Sequence, residues 1–156
     1  MPVPGLPFTD GQLFQLTNAV LPAWVGLLLF PRLGVPLATA VSCAMSALYI
    51  ATLIGTFSAP ELAENPLALM TSFEGVAKLL GTRAAVLPAW VHYAAFDVWV
   101  GRWEVLDARS LGIPQWLMAL PLLLTMFLGP SGLLLYLALI RPFFRPRAAA
   151  AGTKQD

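Results

Sequence analysis

The chain has 156 residues, 58% of them hydrophobic and only 11% charged, with a net charge of +1. A soluble domain carries about 25% charged residues, so this composition excludes an ordinary core under a polar skin and describes a protein whose outer surface is also apolar. The near-zero charge gives no electrostatic case for nucleic acid, and one cysteine excludes an intrachain disulfide or a CxxC-type metal or redox site.

The length allows one domain. No Lys or Arg precedes the first apolar run. A cleaved secretory signal has a basic start and a small-residue cleavage site, so the first span is expected to stay in the mature protein. Stretches 11–31, 33–60, 84–96 and 110–140 carry no charge. A helix crosses about 30 Å of hydrocarbon with about 20 mostly apolar residues. The third stretch qualifies only by running past Asp97. Unbroken apolar runs, rather than alternating ones, favour helices over barrel strands. The prediction is an all-α polytopic membrane protein with four transmembrane helices near 13–30, 35–57, 84–103 and 114–140. They form a single domain, 1–141, followed by a basic, disordered tail, 142–156.

Span one contains Asn18, Pro22 and Trp24. Pro22 is expected to kink it, and Asn18 to bond a neighbouring helix. Pro31 to Gly34 is read as a tight turn, making spans one and two antiparallel neighbours. Span two carries Ala38, Ser42, Ala44, Ser46, Ala47, Ala51 and Gly55, small residues that let helices approach closely. Cys43 is read as a small buried hydrophobe, and Ser58-Ala59-Pro60 as the end of the span.

In the polar connection, Thr71-Ser72-Phe73-Glu74 fits a capping box with Glu74 reaching back to Thr71. A short amphipathic helix, 73–80, follows. It is too short to span and is expected at the interface or dipping into the bundle. Span four, at about 27 residues and roughly 40 Å, is long for one straight crossing. Pro121 and Gly129-Pro130-Ser131-Gly132 interrupt it, by a kink or by a break exposing backbone to a cavity. With four crossings, both termini and the 58–83 connection share one side. That side holds Lys78, Arg83, Arg141, Arg145, Arg147 and Lys154, against Arg32, Arg102 and Arg109. Six cations against three predict cytoplasmic termini.

The chemistry concentrates in residues 88–107, which hold the sole histidine, His92, together with Asp97 and three of the five tryptophans, Trp90, Trp99 and Trp103. An Asp inside a span costs about 2.5–3.5 kcal/mol and marks a functional site by default. Tyr93, Asp97 and Gly101 share one helical line, and His92 with Phe96 forms the next. An Asp97–Arg102 ion pair is the structural alternative. One imidazole rules out multi-histidine metal sites; a carboxylate cluster of Glu74, Asp97, Glu104 and Asp107 is the remaining option. The cofactor is left open. What survives is general acid–base chemistry on a lipophilic substrate. The catalytic candidates are His92, Asp97, Tyr93 and Glu74, the last read first as a helix cap. The substrate-contact candidates are Asn18, Trp24, Trp90, Phe96, Trp99 and Trp103. Expected partners are membrane lipid and a polyene or isoprenoid, with self-association left open.

Trp90-x-His92-Tyr93-x-x-Phe96-Asp97, Gly101-Arg102-Trp103, Asp107, Gly112-Ile113-Pro114 and Thr125-x-x-x-Gly129-Pro130-x-Gly132-Leu-Leu-Leu-Tyr136 together resemble the abscisic-acid-deficient-four-like family. Phe14, Asn18, Trp24, Pro31 and Phe73-x-Gly75-Val76 fit as well. The resemblance implies a small four-span membrane protein. Plant members are associated with conversion of violaxanthin to neoxanthin, which opens an epoxide and forms an allene without net redox change. The lack of an Arg/Ser-rich leader suggests a bacterial member, in the inner membrane. The catalytic candidates come from position and chemistry, not from the resemblance. Three functions compete: a carotenoid or xanthophyll isomerase, an oxygenase cleaving carotenoid to a retinal-type product, and a non-catalytic carotenoid-binding subunit. One histidine makes the oxygenase's usual iron site hard to build.

Overall fold

The computed structural model describes residues 7–57 and 66–144, and every regular element among them is helical. α1 (Asp10–Leu16) opens on a capping box, in which Thr9 accepts from the Gln12 N–H and Gln12 from the Thr9 N–H. A 3-10 turn, Thr17–Ala19, leads into α2 (Val20–Leu29). Pro22 has no N–H to offer the Asn18 carbonyl, so the expected irregularity appears as this turn.

The connection to α3 (Pro31–Phe57) is tighter than expected. Phe30 alone breaks the helix, at φ −133° and ψ 64°, and Pro31 starts the next one, where its missing N–H costs nothing. A Cβ on Gly34 would fall onto the backbone of Gly26 and Leu27, and one on Gly26 would lie 2.8 Å from the Gly34 Cα. The two helices therefore touch backbone to backbone. In the small-residue stripe of α3, Ala38 and Ser42 are buried, whereas Ala44, Ser46 and Ala47 face outward. Cys43 is exposed, not buried; it stands about 100° round the helix from Ser42. Ser58-Ala59-Pro60 lie outside the described residues.

α4 (Pro66–Leu69) precedes α5 (Phe73–Leu80), which has the expected residues but a different cap. Ser72 accepts from the Gly75 N–H at 3.0 Å, while the Thr71 hydroxyl donates to Ala68. With Ser72 as N-cap, Glu74 is one position short of where a capping box needs it. α6 (Arg83–Ser110) continues well past the expected end at 103.

The expected fourth span is not one continuous helix. A 3-10 turn, Gln115–Met118, enters α7 (Ala119–Leu128), which stops at Gly129 with φ +49° and ψ −103°. α8 (Pro130–Leu135) then folds back along α7: a Cβ on Gly132 would strike the Thr125 N–H and the Pro121 carbonyl. In a continuous helix Gly132 would stand about 10 Å beyond Thr125. A π-helical turn, Tyr136–Ile140, carries the chain into α9 (Arg141–Phe144), past the expected boundary at 141. Residues 145–156 lie outside the described part.

The bundle has two ends. At one, Arg83 pairs with Asp10 at 3.5 Å and Thr56 donates to the Ala84 carbonyl at 2.7 Å. At the other, Gln115 donates to the Leu27 carbonyl at 2.7 Å and Arg141 pairs with Asp107 at 2.6 Å. Asp10 and Arg141 thus stand at opposite ends of the bundle, where four full crossings would have set them at one end. Asp10–Leu29 and Pro31–Phe57 are long and apolar enough to cross a membrane; α6 has the length but not the apolarity.

Candidate functional site

α6 presents Trp90, Tyr93, Ala94 and Asp97, at i, i+3, i+4 and i+7, to a cavity of about 460 Å³. Thr17 and Asn18 line it from the 3-10 turn, Trp24 from α2, and residues 126–130 from the tip of the hairpin. The Trp90 indole donates to the Thr17 hydroxyl at 3.2 Å, and its ring lies 5.8 Å from that of Phe14. Trp24 is buried with its ring over Gly101, where a Cβ would come within 2.6 Å of it. Asn18 donates to Gln15, three residues back at the end of α1, at 2.8 Å, not to a neighbouring span as expected.

Asp97 lies midway along α6, about 20 Å from either end. Its carboxylate faces Gly129, where a Cβ would fall 3.1 Å from Oδ1. Gly129 is thus required twice, by its positive φ and by its carboxylate neighbour. Arg102 does not pair with Asp97. It donates to the Thr39 hydroxyl at 2.5 Å and lies 4.5 Å over the Trp99 ring. Five residues on a helix is about 140°, and each side chain reaches a different neighbour.

His92 opens onto a second cavity, of about 220 Å³, between α3, α5 and α6. Its ring stacks on Phe96 at 4.6 Å and meets Tyr49 edge-on at 5.4 Å. His92 and Asp97 therefore serve different cavities, and only Tyr93 of the acid–base candidates lines both. Trp99 is taken up by Arg102, and Trp103 packs edge-on against Tyr136 at 5.9 Å. Glu74 is exposed on α5 and lines neither cavity.

Two polar contacts were not anticipated. Glu104 is fully buried, with the Thr125 hydroxyl 3.1 Å from each carboxylate oxygen. Asp107 accepts from the Tyr136 hydroxyl at 2.5 Å and from two Arg141 nitrogens at 2.6 and 3.0 Å. The sequence held one signal for Glu104: seven residues from Asp97 puts it on the same face of α6. The carboxylates weighed as a metal cluster are dispersed over these separate surroundings, and no group of three metal-binding side chains gathers among the described residues.

The class this defines is a helical protein with two membrane-competent helices, a helical hairpin and a carboxylate in an apolar cavity midway along the longest helix. The chain belongs to the ABA DEFICIENT 4-like family, which matches residues 12–136 and so takes in the whole cavity. No curated protein and no solved structure matches it. Family and apolar helices together point to membrane association and a carotenoid-related role.

Proposed function

We propose that the chain is an integral protein of a bacterial inner membrane that binds a carotenoid- or xanthophyll-type polyene in the larger cavity and isomerises it by acid–base chemistry. Asp97 is the proton-exchanging group. The observation that carries this reading is its placement: a carboxylate midway along α6, lining an apolar cavity, with Arg102 engaged elsewhere. Epoxide opening of the isomerising kind breaks a C–O bond, adds a proton to oxygen and removes one from carbon, with no net oxidation. One carboxyl can accept the proton from carbon and return it to oxygen. Tyr93, one turn from Asp97 on the same cavity, offers a second hydroxyl to orient the substrate.

In this reading Asp10–Leu29, α3 and α6 cross the bilayer, and 115–144 is a re-entrant hairpin. Its arms are each shorter than the about 20 residues a crossing needs. Irregular backbone at that depth is tolerated where it packs in protein or lines a cavity, as 126–130 do. Arg32, Arg109 and Arg141 gather at one end, with Arg145 and Arg147 following in sequence, against Lys78 and Arg83 at the other. The positive-inside rule then favours a cytoplasmic C-terminus and an external N-terminus.

The test is expression in carotenoid-producing bacteria with pigment analysis by chromatography and mass spectrometry, for the wild type and Asp97→Asn. The wild type should yield a product of unchanged mass and new retention time. Asp97→Asn should extract and melt normally yet lose about 100-fold or more of product yield. Full yield from a folded Asp97→Asn protein removes Asp97 from the mechanism. A short aldehyde would establish cleavage instead, and unchanged pigment bound to inactive wild type a binding role.

A further inference from the structure

The larger cavity is short for a long polyene. Its lining on α6 runs from Trp90 to Asp97, a rise of about 10 Å. A full-length C40 polyene is stiff and about 30 Å long, close to the thickness of the hydrocarbon. One end ring fits the cavity and most of the conjugated chain does not. The cavity also has a deep side and an open side. Thr17 and Trp24 are buried on the deep side. Leu21, Trp90, Tyr93, Phe127 and Leu128 line it too, yet each is between 45% and 71% exposed. They form an apolar rim within the membrane-crossing helices and the hairpin tip, so the cavity opens to lipid rather than to water.

The deep side holds one unanswered donor. The Trp90 indole is satisfied by Thr17. Trp24, only 2% exposed, makes no hydrogen bond among the described residues. A buried Trp N–H ordinarily has a partner. Among the described residues Ser42 Oγ is the one fully sealed side-chain polar atom without a partner. The Trp24 N–H therefore keeps some accessible surface, and Trp24 lines the cavity. Its ring packs over Gly101, one turn from Asp97 and about 6 Å along α6. Trp24 and Asp97 thus border one region the size of a single ring.

We propose that the larger cavity seats one oxygenated end ring of the polyene. The Trp24 N–H donates to the ring oxygen, and the conjugated chain leaves over the rim into lipid. This seating rests on the polyene reading above. The reacting ring carbon lies beside Asp97, and as the C–O bond breaks the Trp24 N–H stabilises the charge that develops on oxygen. Trp24 is then the specificity residue for end-group oxygen. Chain beyond the rim meets only lipid and adds nothing to recognition. The substrate class is a polyene bearing such an end ring, whatever its length, shortened fragments included.

The test uses the purified full chain in detergent and reads quenching of tryptophan fluorescence. Affinities are expressed per mole of detergent, so that partition into micelles cancels. Four probes are compared: a C40 xanthophyll with epoxidised end rings, a C20 fragment keeping one such ring, a C40 carotene with unoxygenated rings, and an open-chain C40 carotene. The fragment should bind within about 3-fold of the full xanthophyll, and the open-chain carotene about 10-fold or more weaker. Trp24→Phe keeps the ring over Gly101 and removes the N–H. It should weaken both epoxidised probes by about 2–10-fold and leave the unoxygenated carotene unchanged. Ala94→Phe fills the seat and should weaken all three ring-bearing probes alike; Ala94→Leu serves if that variant fails to fold. A fragment about 10-fold or more weaker than the full xanthophyll, or an open-chain carotene as tight, overturns the single-ring seat. Equal loss of oxygenated and unoxygenated rings in Trp24→Phe overturns the donor. Both results leave the polyene reading and Asp97 standing, because Asp97→Asn is read by product yield. No saturable quenching by any ring-bearing probe would remove the polyene reading and the seat together.

Discussion

The contact between Glu104 and Thr125 gives the sharpest test of the hairpin. Both residues are fully buried, and the Thr125 hydroxyl is the hydrogen-bond donor to the Glu104 carboxyl. Thr125→Val replaces that hydroxyl with a methyl group of nearly the same size. It leaves no cavity and removes only the hydrogen bond. A buried polar group stripped of its partner costs about 1–3 kcal/mol. For a chain of this size each kcal/mol lowers the melting midpoint by about 2–4 °C, so the expected fall is about 2–12 °C. Replacing both partners with apolar groups approaches neutrality, so Glu104→Leu with Thr125→Val should melt above Thr125→Val alone. The assay is thermal unfolding of purified protein in one detergent at one protein concentration, for the wild type, both single variants and the double. A Thr125→Val protein melting within about 1 °C of wild type, or a double variant no better than the single, would refute the placement of α7 on α6.

Gly129→Ala forces a Cβ into a positive-φ position and towards the Asp97 carboxylate; it should cost about 1–3 kcal/mol in the same melt and lower product yield. Pro130→Ala should leave the reversal intact, because Gly129 rather than Pro130 carries the unusual dihedral, and a larger loss from Pro130→Ala would invert that assignment. Reporters inserted at Gly112 and after Phe144 should read the same side of the membrane, opposite one placed after Phe57. Agreement between the Phe57 and Phe144 reporters would restore four full crossings.

Local features were the legible ones. The bounds of α5 follow from its amphipathic run, and the cap shifted by one residue because Thr71 and Ser72 are both competent acceptors. Asp97 stood out because a carboxylate in an apolar run needs a reason. Its pairing with Arg102 failed because neighbours distant in sequence, Thr39 for Arg102 and Gly129 for Asp97, decide where each side chain goes. The hairpin was not legible. Hydropathy reports transfer from water and carries no information on direction, so 114–140 reads as one long span with a kink or a break at 129–132. Whether Gly129-Pro130 kinks or reverses the chain depends on the sign of φ at Gly129 and on the close approach that Gly132 permits. Glu104 was weighed only as a possible metal ligand, because its partner, Thr125, lies on α7, 21 residues away in sequence.

The limited apolarity of α6 has the same origin. A helix facing lipid all round must be apolar all round, and α6 is interrupted by Asp97, Arg102, Glu104 and Asp107. None of these needs a lipid-facing position. Glu104 meets α7 through Thr125, Asp107 meets the returning arm through Tyr136 and Arg141, Arg102 meets α3 through Thr39, and Asp97 meets the hairpin tip at Gly129. Each arm of the hairpin is therefore fixed to α6 by a polar contact on the half nearer Ser110, and the tip is carried to the middle of the helix. Apart from Arg102, the residues that weaken α6 as a conventional span are the ones that meet the hairpin, and the hairpin in turn shields them. A continuous fourth helix would run past Asp97 with its backbone already satisfied. A hairpin ends there, and the end of α7 leaves carbonyls without intrahelical donors beside the Asp97 carboxylate in the larger cavity.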